Sequence, residues 1–192
     1  TAAGSYTLTI TGTEGTATHA TTVALTVTTT TGTTLVSDGF ESGGWTATQV
    51  SGTAGAWSIV TTSSHPTGVA PHGTSRMARF NSYTSAAGSQ TRYARTATVA
   101  IPTTATAVTL KFWMYHDTGF STSADKVQAQ VAVAGVWSNV GVAVNRYSGT
   151  TGWAQATVDL TAYKGKTIQL GFLGISAFGN DEYLDDVTIT AQ

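Results

Sequence analysis

The sequence predicts an all-β protein: an antiparallel jelly-roll sandwich preceded by a separate β-hairpin. Three observations carry that expectation. Apolar and polar residues alternate in many short runs, which places every second side chain on one face of a strand. Turn-forming residues interrupt those runs at roughly even spacing, the pattern of sandwiches and barrels. No stretch sustains the three-to-four-residue apolar repeat of a helix. The composition agrees: 41% of the 192 residues are hydrophobic, enough for a core, while only 10% are charged, against about 25% in an average globular domain.

Residues 1–29 read as a hairpin. Tyr6, Leu8 and Ile10 share one parity, Val23, Leu25 and Val27 do the same, and Gly12-Thr13-Glu14-Gly15 lies between as a turn signal. A lone hairpin is marginal in water, so its apolar face wants a partner. Residues 30–34 are a Thr/Gly linker, and residues 35–192 hold the jelly roll. Ten strand signals follow there: 35–40, 57–60, 75–80, 91–99, 108–115, 126–132, 137–140, 153–159, 167–175 and 183–190. The nearest thing to a helix is one turn over 160–164, capped by Asp159 and stopped by Gly165.

Several functions are excluded or disfavoured. A net charge of −1 with no dense basic run argues against nucleic acid. No apolar run reaches the ~18–20 residues of a membrane helix. There is no cysteine, so a metal rather than a disulfide would be the staple. Thr1-Ala2-Ala3-Gly4 reads as the interior of a larger exported protein, which places the chain outside the cell. The sequence has no Gly-x-Ser-x-Gly, His-Glu-x-x-His or phosphate loop, and the expectation is a protein that is not an enzyme.

The chemistry on offer lies in the acids. Eight of the ten fall in three groups, Asp38/Glu41, Asp117/Asp125 and Asp181/Glu182/Asp185/Asp186. Asp185 shares parity with Val187 and Ile189 and so reads as pointing inward, where a carboxylate must be paired or bind a metal. Calcium takes six to eight oxygens in tolerant geometry. A first site would join the ends of the domain through Asp38, Glu41, Asp185 and Asp186, with carbonyls from 72–75. Its alternative is turn capping and pairing with Arg76 or Arg79. A second would fold Asp117 and Asp125 onto one ion across 118–124, with Asn180 and Asp181. Its alternative is an Asx-turn loop. His116 reads as a hydrogen-bonded structural residue, since no partner sits at zinc spacing. Among the aromatics, Trp113 is expected in the core. Trp137, Tyr147, Trp153 and Phe178 are candidates for an exposed platform that stacks on a sugar ring or a peptide, core packing being the alternative.

Five blocks carry a resemblance, in order: Asp38-Gly39-Phe40-Glu41-Ser42-Gly43-Gly44-Trp45, His72–Phe80, Leu110–Asp117, Trp153–Leu160 and Leu184–Ile189. Together they resemble the MAM-like jelly rolls, including the cleaved-adhesin modules of gingipains and the choice-of-anchor modules of secreted bacterial proteins. Residues 4–13 with 19–27 resemble the last two strands of bacterial immunoglobulin-like modules. The resemblance implies a non-catalytic, calcium-stabilised binding or adhesion module. It would follow a secreted peptidase or similar enzyme domain and engage a protein substrate or a cell surface. A carbohydrate-binding module, with a polysaccharide as partner, or a structural spacer is the alternative.

Overall fold

The computed structural model describes residues 2–27, 32–53 and 55–192. The chain divides into two compact units, residues 1–32 and 33–192. The first unit is the hairpin of β1 (Gly4–Glu14) and β2 (Ala17–Val27). Its register sets Tyr6 opposite Leu25 and Leu8 opposite Val23, so the apolar residues share one face. The strands run past the expected turn to Gly15-Thr16, with Gly15 at φ +58°. A left-handed residue is what so tight a reversal requires, and glycine adopts it without steric penalty.

The second unit is a sandwich of two antiparallel sheets. Its strands are β3 (Thr33–Asp38), β4 (Trp45–Ser51), β5 (Trp57–Val60), β6 (Met77–Phe80), β7 (Gln90–Arg95), β8 (Val99–Ala100), β9 (Val108–His116), β10 (Lys126–Val133), β11 (Val136–Asn139), β12 (Val144–Asn145), β13 (Gly152–Asp159), β14 (Thr167–Ile175) and β15 (Glu182–Ala191). One sheet runs β11-β10-β14-β7-β4, with β12 beside β10 and β8 beside β14; the other runs β13-β9-β15-β6-β5, with β3 on β15. All ten expected strands are present. The sequence signals missed β4, whose residues after Trp45 are all exposed and so show no alternation, and the two-residue β12; the single strand expected over 91–99 is split into β7 and β8. The turn after Asp159 is a single 3-10 turn, Thr161–Tyr163. Its start is fixed by the Asp159 carboxylate, which accepts the Thr161 N–H at 2.8 Å.

Both sheets turn their alternate residues inward. Leu110, Phe112 and Met114 from β9 meet Val127, Ala129 and Val131 from β10 and Ile168, Leu170 and Phe172 from β14 in one core. Each such side chain contributes roughly 1.5–3 kcal/mol on burial. An aromatic chain ties the layers together: Phe40 lies 5.1 Å from Trp45, Trp45 5.4 Å from Tyr93, Tyr93 5.4 Å from Trp57, and Trp57 5.5 Å from Phe80. Both indoles have a polar partner, as buried tryptophans require. Trp45 Nε1 donates to Asp38 and Trp57 Nε1 to the Thr91 carbonyl. Trp113, expected in the core, is instead on the outer face of β9, stacked on His72 at 3.9 Å. Its neighbours Phe112 and Met114 take the inward positions, and a strand can point only alternate residues the same way.

Candidate functional site

The acid-rich entry to β15 is where the sequence reading needs its main correction. Leu184 pairs with Met114 and Ile189 with Leu110, yet the register slips between Asp185 and Thr188. Asp186 takes up the extra residue at φ +44°, a left-handed conformation that Asp tolerates better than most. A bulge of this kind reverses the parity of everything before it. Leu184 and Glu182 therefore share the core face with Val187 and Ile189, and Asp185 is on the outer face, opposite Trp113. The inward carboxylate is Glu182, which pairs with the core residue Phe80 and is 0% exposed.

Glu182 enters a buried polar cluster at one end of the sandwich. Its centre is Arg146, also 0% exposed, which donates from Nη1 to Asp117 Oδ1 at 2.8 Å and from Nε to Asp125 Oδ2 at 3.3 Å. The same guanidinium donates to the carbonyls of Gly119, at 2.9 Å, and Phe120, at 3.1 Å. Asp117 and Asp125 do converge across the 118–124 loop, where the Arg146 side chain pairs with both. The basic residue lies 21 positions after Asp125, so no local spacing announced it. Asp125 Oδ1 accepts further N–H bonds from Ala177 and Gly179 and a very short one from the Ser82 hydroxyl. Asn180 Nδ2 donates to Asp117 Oδ1 at 3.1 Å. His116 Nδ1 lies 3.3 Å from the Arg146 carbonyl, a structural contact.

Two carboxylates thus bond one guanidinium, and the third, Glu182, makes no bond to it. Asp117 Oδ2 and both oxygens of Glu182 are buried with no hydrogen-bond partner. Burial pushes the Glu182 carboxyl well above its ordinary value; Asp125 and Asp181 add to that, while Arg146 opposes it. Asp181, assigned from sequence to the same ion, faces another way. It lies 3.9 Å from Arg79 and accepts the Tyr83 N–H and, at 3.4 Å, the Tyr183 hydroxyl. Burial raises its carboxyl too, against those donors.

The other predicted set is brought together in part. Glu41 accepts from Ser75 N, Ser75 Oγ and Arg76 N, and these bonds, the Ser75 hydroxyl first, hold its exposed carboxyl below the usual range. Asp185 accepts from His72 N at 2.8 Å, Gly73 N at 3.4 Å and Asp186 N at 2.8 Å. Asp186 reaches His72 Nδ1 at 2.7 Å. Glu41, Asp185 and Asp186 so converge on the segment 72–76. Asp38 does not join them: its carboxylate accepts from Phe40 N and Trp45 Nε1 and lies 3.8 Å from Arg95. Among the described residues, no group of three or more His, Asp or Glu has the convergent geometry of a metal site.

The expected aromatic platform is not assembled as one surface. Trp153, on β13, packs edge-on to Tyr115 at 5.6 Å and donates to the Ala70 carbonyl at 3.1 Å. Trp137 belongs to the opposite sheet, on β11. Tyr147 and Phe178 are exposed on loops around the Arg146 cluster.

Around Trp137 the seven-stranded sheet presents a second arrangement that the sequence did not disclose. Register places Thr46 and Thr48 of β4, Arg92 of β7, Gln169 of β14, Gln128 and Gln130 of β10, and Trp137 and Asn139 of β11 on one outer face. The Arg92 guanidinium lies 4.4 Å over the Trp137 ring, and Arg92 Nε donates to Gln130 Oε1 at 2.7 Å. Gln130 Nε2 donates in turn to Asn139 Oδ1 at 2.8 Å. Gly171 makes room: a Cβ there would lie 2.7 Å from Trp137 Cζ3. Indole, guanidinium and amides are thereby linked into one polar floor.

No protein-family model matches the chain, and no curated protein matches it either. Solved structures do. The K3 cleaved adhesin domain of Lys-gingipain from Porphyromonas gingivalis W83 superposes with a TM-score of 0.57 at 19% identity, over 83% of this chain and 99% of that one. TmCBM61, solved in complex with β-1,4-galactotriose, gives 0.52 at 18% identity over 80% and 94%. The CBM22-1 xylan-binding domain of Paenibacillus barcinonensis Xyn10C gives 0.52 at 16% identity over 85% and 97%. The fold is therefore the β-sandwich jelly roll of cleaved-adhesin domains, shared with carbohydrate-binding modules, and at these identities the likeness is one of fold.

Proposed function

We propose that the chain is a non-catalytic binding module, carried by an exported protein, whose ligand lies across the outer face of the seven-stranded sheet. The observation that supports this is the linked floor of Trp137, Arg92, Gln130 and Asn139. Those side chains are held rigid by one another, so a ligand meets prearranged donors and acceptors and little ordering cost. The chemistry favours a polysaccharide over a protein: amides match sugar hydroxyls, the indole matches an apolar pyranose face, and the floor holds no carboxylate. Attachment to an enzyme such as a peptidase, and an immunoglobulin-like origin for the hairpin, are supported by the resemblance described above.

We further propose calcium as a stabilising ion. No ligand set for it converges among the described residues, but the partnerless oxygens of Asp117 and Glu182 are a hard, anionic donor set of the kind calcium takes. Asp117 and Glu182 would hold it. The ion would supply the positive charge that Arg146 alone does not.

Affinity electrophoresis through soluble xylan, galactan, glucan and mannan tests the sheet reading, with pull-down on collagen and other matrix proteins as the contrast. At least one polysaccharide is expected to retard the protein, and Trp137→Ala to lose most of that retardation. Capture by a matrix protein with no retardation by any polysaccharide would return the assignment to a protein ligand.

A further inference from the structure

Two large aromatic residues break a local rule at the end of the sandwich above Arg146. Phe120 stands at φ +48° and Phe178 at φ +64°, left-handed conformations that bulky side chains avoid. Both are solvent-exposed, at 48% and 59%. Nothing is gained for the core by strained backbone that turns an apolar ring into water. Strain of this kind persists only where surrounding structure over-determines it, and it concentrates at binding sites.

The surroundings do over-determine it. The Phe120 carbonyl is gripped from below by Arg146 Nη2 at 3.1 Å and by the Ser123 N–H at 2.9 Å. The Phe178 N–H donates to Ser176 Oγ, and its neighbours Ala177 and Gly179 donate to Asp125. Phe120 also has company. Its ring meets Tyr83 edge-on at 5.9 Å, and Tyr83 stacks on His65 at 3.7 Å with the planes 7° apart. Tyr83 and His65 are anchored by their backbones to Asp181, through the Tyr83 N–H and the His65 carbonyl. The buried acids and Arg146 thus hold an exposed row of rings, His65, Tyr83 and Phe120.

The same 118–124 loop walls a hollow of about 150 Å³, lined by Ser121, Thr122, Ser123, Ala124, Asn145 and Tyr147. Hydroxyls and an amide surround it, and no charged side chain does. We infer that this loop end is a second binding site, distinct from the sheet face, for a neutral carbohydrate: a pyranose face packs on the exposed Phe120 ring, which Tyr83 braces edge-on, and its hydroxyls reach into the hollow beside it. An acidic or basic ligand would find no counter-charge in that lining. This site shares with the sheet face only the class of ligand, and its residues lie on other elements.

Phe120→Gly separates binding from folding. It removes the ring and relieves the left-handed strain, so Tm is expected to hold or rise. Retardation by the same neutral polysaccharides is expected to weaken at least tenfold, and Tyr83→Ala to weaken it similarly. NMR titration of the intact chain with β-1,4-galactotriose and xylohexaose should shift the amides of residues 83, 120 and 147 with at least one of the two. If Phe120→Gly and Tyr83→Ala bind as the parent does, or if neither oligosaccharide moves those amides, the loop-end site is refuted. Loss in these two variants with Trp137→Ala unaffected would refute the sheet-face site and leave this one. The reverse pattern would do the opposite.

Discussion

The two carboxylate clusters of this protein solve the same problem in opposite ways. Around residues 72–76, Glu41, Asp185 and Asp186 each have N–H or O–H donors in hydrogen-bonding range, most of them from the backbone. Backbone donors carry no net charge and cost little to place, and they offset only part of the burial that raises the Asp185 carboxyl. Around Arg146 one guanidinium serves Asp117 and Asp125 directly while three buried oxygens have no partner. A buried carboxylate is satisfied by the number and charge of its donors, and proximity to another acid gives no guarantee of an ion. The 72–76 cluster has the outline of an ion site and meets its carboxylates with N–H and O–H donors. The Arg146 cluster has the outline of a salt bridge and lacks a proton or a cation.

The largest effect should come from removing the cation that the Arg146 cluster already has. Arg146→Met leaves Asp117 and Asp125 buried without a counter-charge, a loss of about 3–5 kcal/mol in stability by denaturant unfolding. A variant that unfolds within about 1 kcal/mol of the parent, well short of that loss, would mean the two aspartates are protonated or bound elsewhere.

Next in size is calcium itself. Ion at 100 times its Kd adds about 2.7 kcal/mol to the native state by mass action, so a metal-free sample should melt well below one in millimolar calcium. The contrast between clusters predicts who controls that difference. Glu182→Gln should abolish the calcium response, whereas Asp185→Asn and Glu41→Gln should keep it. A calcium response lost in Asp185→Asn and retained in Glu182→Gln would move the ion to the 72–76 cluster.

Without metal, Glu182 makes a pH prediction of definite sign. Its folded-state pKa lies above the ordinary 4.5, so the native protein holds a proton that the unfolded chain has released. Stability therefore falls as pH rises from 4.5 through the raised value and is level above it. Glu182→Gln should erase that slope and melt higher than the parent at neutral pH, each kcal/mol being worth about 2–4 °C. Thermal scans in EDTA, run upward in pH from the ordinary carboxylate range, measure both. A parent whose stability climbs with pH from there, with the slope unchanged in Glu182→Gln, would place the controlling group elsewhere.

The smallest effects belong to the 72–76 cluster. Asp185→Asn turns a charge-assisted acceptor into a neutral one facing three N–H groups, a loss of about 1.5–3 kcal/mol. Asp186→Asn, at a half-exposed contact with His72, should cost less than half of that. Equal losses in the two variants would show that the bulge does not separate their environments.

Much of the architecture could be read from the chain alone. Alternation located ten strands and the two of the hairpin, because a two-residue period is a local property of the sequence. The acid groups were visible by composition, and so was the turn at Asp159. The tertiary structure alone decided which acid points inward. One bulge at Asp186 exchanged the faces of Asp185 and Glu182, and a bulge is set by how β15 meets β9, β6 and β3 rather than by its own residues. The same holds for Arg146, which reaches Asp117 and Asp125 only through pairings between distant strands, and for Trp137 and Arg92, whose contact bridges the β11–β10–β14–β7 stretch of one sheet. Side-chain period is written along a strand, but charge balance and ligand surfaces form across strands, where the sequence has no neighbour to show.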